Sequence, residues 1–223
     1  MSIAQPALDV GIFPSTGSVF GYHDVPYMKP GVSGEGVRWD VSSLPPGTIV
    51  PHVWSTTDIA PGAGAFPNDA LVRQVPGEPA SYFLRSDTAM FWIGTYTDTA
   101  LLRFDPPLRE LVVPCQIGDR WSDTSIVAVT GAGRIRILDV YYAGRAESWG
   151  DLIMPYGVVE DVIRVRTEAG HGGSQVQGVA ATHRNTLLLV FSTHADALAR
   201  DVRTQRLGAT GPRVALAGRL VAG

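Results

Sequence analysis

The chain has 223 residues, 45% hydrophobic and 17% charged, with a formal net charge of −3. That length suits one large β domain or two small ones and buries enough surface to need neither a disulfide nor a metal as a staple. Lys29 is the only lysine, and the acidic balance leaves nucleic-acid binding by bulk electrostatics without a basis; no apolar run approaches the roughly 18 residues of a membrane-spanning helix.

Glycine (25) and proline (16) are plentiful, which predicts strands punctuated by turns. Residues 1–47 carry short apolar words such as Val10-Gly11-Ile12-Phe13 and no helical period. They are expected to form an extended Pro/Gly-rich arm lying against the domain. Met1-Ser2-Ile3-Ala4-Gln5-Pro6 lacks the basic start and apolar core of a secretory leader. Residues 48–54 read as a strand weakened at Pro51, which points to an edge or a bulge. Residues 57–80 read as loop, with the low-complexity run Pro61-Gly62-Ala63-Gly64-Ala65.

Residues 81–85 and 89–96 predict a strand pair joined by Ser86-Asp87-Thr88. Cys115 stands alone in the apolar run Leu111-Val112-Val113-Pro114-Cys115, so a buried, inert thiol is expected. Residues 124–130 and 134–142 flank Gly131-Ala132-Gly133, a tight hairpin signal. Arg134-Ile135-Arg136-Ile137 alternates, which predicts arginines on a wet face and isoleucines on a dry one; Val162-Ile163-Arg164-Val165-Arg166 repeats the pattern. Residues 186–191 form a continuous apolar run, expected as a strand buried on both sides. Residues 195–206 fit helix and strand alike, and residues 207–223 are expected as an extended, weakly alternating tail. The reading is therefore all-β: an antiparallel, jelly-roll-like β-sandwich over residues 48–206 with an arm before it and a tail after it.

Catalytic patterns are absent from the sequence. Asp87-Thr88-Ala89, Asp98-Thr99-Ala100 and Asp123-Thr124-Ser125 lack the glycine that follows the paired aspartates of aspartic proteases, so they read as turns. His171-Gly172-Gly173-Ser174 has no nucleophile elbow to serve. His23, His52, His171, His183 and His194 show no metal-ligand spacing. No catalytic residue, cofactor site or metal site is expected. Tyr82, Phe83, Phe91, Trp92 and Tyr96 read as core. Trp54, Trp92 and Trp149 are the candidates for a ligand-stacking platform if the domain binds glycans.

Three phrases are similar, in order, to those of a family of β-rich domains in secreted and cell-surface proteins of the Bacteroidota. They are Gly36-Val37-Arg38-Trp39-Asp40-Val41-Ser42-Ser43-Leu44; Pro114-Cys115-Gln116-Ile117-Gly118-Asp119-Arg120-Trp121-Ser122-Asp123; and Gly150-Asp151-Leu152-Ile153-Met154-Pro155-Tyr156-Gly157, running on to Asp161-Val162-Ile163-Arg164-Val165. The resemblance implies an extracellular β-rich module of largely unknown biochemical role and supplies no catalytic residues. The expected function is thus structural or interactive: self-assembly or docking with protein partners at a bacterial surface or in a virion. Glycan binding is the alternative. A hydrolase built from distant Asp, Glu and His residues would need a deep cleft holding two carboxylates or a carboxylate and a histidine.

Overall fold

Period-two alternation builds the longest strands where it is cleanest. These are β8 (Arg120–Gly131), β9 (Arg134–Met154) and β10 (Gly157–Gly173). Before them come β1 (Val19–Pro26), β2 (Val37–Asp40), β3 (Thr48–Thr56), β4 (Leu71–Gln74), β5 (Ala80–Arg85), β6 (Ala89–Tyr96) and β7 (Ala100–Val112). After them come β11 (His183–Ser192), β12 (Val202–Gln205) and β13 (Arg213–Arg219). The computed structural model describes residues 6–26, 32–43, 48–131, 133–155, 157–173, 183–192, 202–205 and 213–219, and no α-helix lies among them.

The protein is all-β and sandwich-like. From β3 to β11 each strand pairs antiparallel with the next; β1 extends the sheet beside β3, followed by β13 and β12. Pro51 stands where β3 has β1 along one edge, while β4 joins the other edge only from Val53 onward, so the missing proline N–H disturbs no ladder. Two hairpin turns share one chemistry. The Ser86 hydroxyl accepts from the N–H groups of Thr88 (3.2 Å) and Ala89 (3.0 Å). Thr97 Oγ1 does the same for Thr99 (3.2 Å) and Ala100 (2.7 Å). The first two Asp-Thr-Ala words are therefore turns, because a hydroxyl one residue upstream satisfies the turn's amides.

The sheet folds back so that its early and late strands share one core. Trp54, Leu71, Phe83, Met90 and Leu111 meet Trp121, Ala146, Ile163 and Val165 there. The N-terminal arm belongs to that core: Leu8 (1% exposed) and Phe13 (6%) sit inside it, and Leu8 exchanges backbone hydrogen bonds with Cys115 at 2.9 and 3.0 Å. Burying one such side chain is worth about 1.5–3 kcal/mol, so these residues anchor the arm. Cys115 is itself buried, and burial first, then the nearby Asp119 charge, pushes its thiol up to about 12.

Residues 57–70 cap the opposite face of β4–β6. Phe66 stacks on Tyr82 with ring centroids 3.9 Å apart, and the Tyr82 hydroxyl donates to the Pro61 carbonyl. Residues 71–74, read from sequence as loop, form β4, with Val72 fully buried. Their two apolar residues are too few to show a period, and it is the pairing with β3 and β5 that makes them a strand. Residues 19–26 and 37–40 of the arm are likewise strands of the sheet.

A second small core forms where β2 runs parallel to β9, the one parallel pairing among the described residues. Trp39 and Val41 pack there on Leu152, Met154, Val159 and Val162. Arg164, expected on a wet face, is 2% exposed: it is ion-paired with Glu147 at 2.9 Å, donates to the Ser33 hydroxyl, and lies 5.1 Å from the Trp39 ring centre. The arm covers the face that alternation alone would have left to water. Of the undecided region 195–206, residues 202–205 form β12, and the remainder lies outside the described residues. Residues 186–191 are strand, but the side chains on which their two-sided burial depends lie outside those described. In the tail, β13 pairs with β1.

Candidate functional site

The outer face of β8–β10 carries the features with chemical potential. Parity along β9 is set by Leu138, Val140 and Tyr142, which turn inward to pack with Phe104, Leu108 and Val127. A two-residue period sends every odd position outward once the even ones are buried. Ile135 (69% exposed) and Ile137 (46%) therefore face water, and Ile126 (53%) joins them from β8. This corrects the expected dry face for Ile135 and Ile137. The register places Thr130 opposite Ile135, Ala128 opposite Ile137, and Ile126 opposite Asp139. The outer side of the hairpin thus presents three large apolar side chains.

Toward the other end of the same face stands a row of arginines. Arg120 on β8 lies directly opposite Arg145 on β9, and Arg145 directly opposite Arg166 on β10. Neighbouring strands are about 4.8 Å apart, so the row spans roughly 10 Å across three strands. The arginines line an open cavity of about 610 Å³ together with Arg109, Ser122, Glu147 and Glu168.

The counter-charges are unevenly distributed. Arg109 holds Asp123 through its Nη2 (2.7 Å) and Nε (3.1 Å to each carboxylate oxygen), and its backbone N–H donates to Asp123 as well. Hydrogen bonding to Asp123 raises the already high Arg109 pKa, partly opposed by burial. The third Asp-Thr word, Asp123-Thr124-Ser125, expected as a turn, instead lies within β8 in register with β9, where the Asp123 carboxylate clamps Arg109. Glu147 is committed to buried Arg164. Arg166 and Glu168 approach at 3.5 Å, both about half exposed, a weak contact in water. Arg120 and Arg145 make no ion pair among the described residues.

The support beneath the row is stiff. The Trp121 Nε1–H donates to the Arg109 carbonyl at 3.1 Å, and the indole crosses Gly144, where a Cβ would lie 2.1 Å from the ring. Only glycine leaves space for it. Gly118 and Asp119, just before β8, exchange backbone bonds with Ala146 at 2.8 and 2.9 Å.

The three tryptophans singled out as a platform do not share an exposed surface. Trp54 is 4% exposed, with Phe83 5.2 Å away on one side and the Arg73 guanidinium 5.9 Å from its centre. It points inward because β3 faces the common core at that position. Trp92 is half-buried against Phe104 at 4.5 Å and donates its Nε1–H to the Gly94 carbonyl. Trp149 is half-buried against the main core. Tyr82 and Phe83 point to opposite faces of β5 and are both fully buried, because the main core covers one face and the residue 57–70 segment covers the other.

The β10–β11 register sets His171 opposite His183, two histidines that sequence spacing kept apart. No group of three or more His, Cys, Asp or Glu among the described residues is placed to hold a metal ion. The arginine row had no signal in the sequence, because its members come from three strands and only register aligns them. Comparison with protein-family models, with curated proteins and with solved structures found no match.

Proposed function

We propose that this is a non-enzymatic structural or interaction protein, which assembles with copies of itself through the outer face of the β8–β9 hairpin. The observation that carries the reading is the exposure of Ile126, Ile135 and Ile137 on one face of one hairpin. Contiguous apolar surface on a folded domain marks a contact site more often than a random scatter does. A hairpin face is also stiff, so docking it orders little new chain. The low charge of the chain, 17%, fits a surface partly covered in an assembly. A bacterial surface or a virion is the setting that suits such a role, and the resemblance to secreted β-rich modules points the same way.

Light scattering after size exclusion, across a concentration series, tests this. The wild-type chain is expected to form a defined oligomer. Ile135→Lys combined with Ile137→Lys is expected to give a monomer whose circular dichroism is unchanged. A wild-type chain that stays monomeric at every concentration overturns self-assembly through this face.

A further inference from the structure

We propose that the open cavity on the outer face of β8–β10 binds an acidic saccharide, whose carboxylate or sulfate is held by Arg120 and Arg145. Like charges placed directly opposite on neighbouring strands destabilise a sheet. Here three arginines stand in direct register, and the first two have no ion-pair partner among the described residues. This occurs on a chain whose formal net charge is −3, so the row is a local positive spot against the overall balance. A bound oxyanion supplies the missing counter-charge. Guanidinium forks match the planar, paired oxygens of a carboxylate or sulfate, which lysine would meet only as a point charge.

The rest of the lining selects what carries the anion. Glu168 and the Ser122 hydroxyl stand in the same cavity and accept hydrogen bonds from hydroxyl groups. A continuous phosphate backbone would be repelled by the Glu168 carboxylate, whose contact with Arg166 is weak in water. A polyhydroxylated ligand with isolated acid groups satisfies both kinds of residue. About 610 Å³ is within the range of small-ligand sites, and the Trp121–Gly144 packing beneath Arg120 and Arg145 holds the row in place before any ligand arrives.

Isothermal titration calorimetry of the full chain against a galacturonate trisaccharide, a heparin-derived tetrasaccharide and uncharged galactotriose tests the proposal. At least one acidic sugar is expected to bind and galactotriose not to; which acid binds distinguishes carboxylate from sulfate. Arg145→Gln and Arg120→Gln are each expected to weaken binding by about tenfold or more without lowering the melting temperature, since each also removes a like-charge contact. Failure of both acidic sugars to bind overturns the proposal. So does binding that the two variants leave unchanged, or a hexaglutamate peptide that binds as tightly as the sugars. A fall in the melting temperature of Arg145→Gln would make that arginine a structural residue and overturn the assignment as well.

Discussion

Gly150 of β9 meets Val37 of β2 so closely that a Cβ on Gly150 would stand 1.7 Å from the Val37 carbonyl oxygen. Register pairs the same two residues at the start of the parallel ladder. The arm reaches the second half of the chain through this contact, and the resemblance phrases around Trp39 and around Leu152 thereby become neighbours in one small core. Gly150→Ala is expected to push β2 off its ladder and cost about 3 kcal/mol, in the upper range for a packed site with no slack. Gly133→Ala is the control. Its φ of +69° is left-handed but a Cβ there meets nothing within 4 Å, so about 1 kcal/mol is expected. Urea unfolding of both variants measures the difference, and equal costs would mean the close approach is unimportant.

Arg164 is a buried charge with a counter-charge at 2.9 Å, and its burial lowers its pKa while Glu147 opposes that shift. Removing one partner of such a pair leaves a charge in a poor solvent. Glu147→Gln is expected to cost about 3 kcal/mol, and Arg164→Met combined with Glu147→Gln distinctly less than the sum of the single changes. A double-mutant cycle by denaturant unfolding reads this coupling, and additive costs would show the pair to be independent.

Cys115 connects stability to alkaline pH. Its thiol ordinarily ionises near 9.0, and in the folded chain it keeps its proton up to about 12. The unfolded chain loses that proton first, so the contribution is complete below about pH 9 and declines as pH rises toward 12. Unfolding free energy should fall across that window in the wild type and fall less in Cys115→Val. At pH 8 the native thiol should also resist Ellman's reagent and react once the chain is unfolded. Prompt reaction of the native protein would place Cys115 near the surface.

Leu8 ties the arm to the core through apolar burial and two backbone bonds to Cys115. Leu8→Ala is expected to destabilise the whole domain by about 3 kcal/mol, as a cavity in a shared core does. Circular dichroism during thermal unfolding checks it. A variant of wild-type stability would indicate an arm only resting on the domain.

Much of the architecture was legible from local chemistry. The β5–β6 and β8–β9 hairpins follow from alternation and from their turn residues: Ser86-Asp87-Thr88 in one, Gly131 and Gly133 in the other. Burial of Tyr82, Phe83 and Cys115 follows from apolar pattern. β4 was not legible, since four residues cannot display a period without their neighbours. Trp54 was misplaced as a stacking residue because an aromatic on a strand looks the same whether its face is covered or open.

Residue order alone thus determined that the described residues are all-β, where several of the turns fall, and that Cys115 is buried. Those properties depend on backbone preferences and on side chains a few positions apart. Tertiary structure decided which face of β9 is dry, that Arg164 is buried, and that Arg120, Arg145 and Arg166 stand in one row. Each of those depends on strand register and on the placing of the arm. Alternation assigns residues to two faces, but only packing chooses which face meets water and which strands lie side by side.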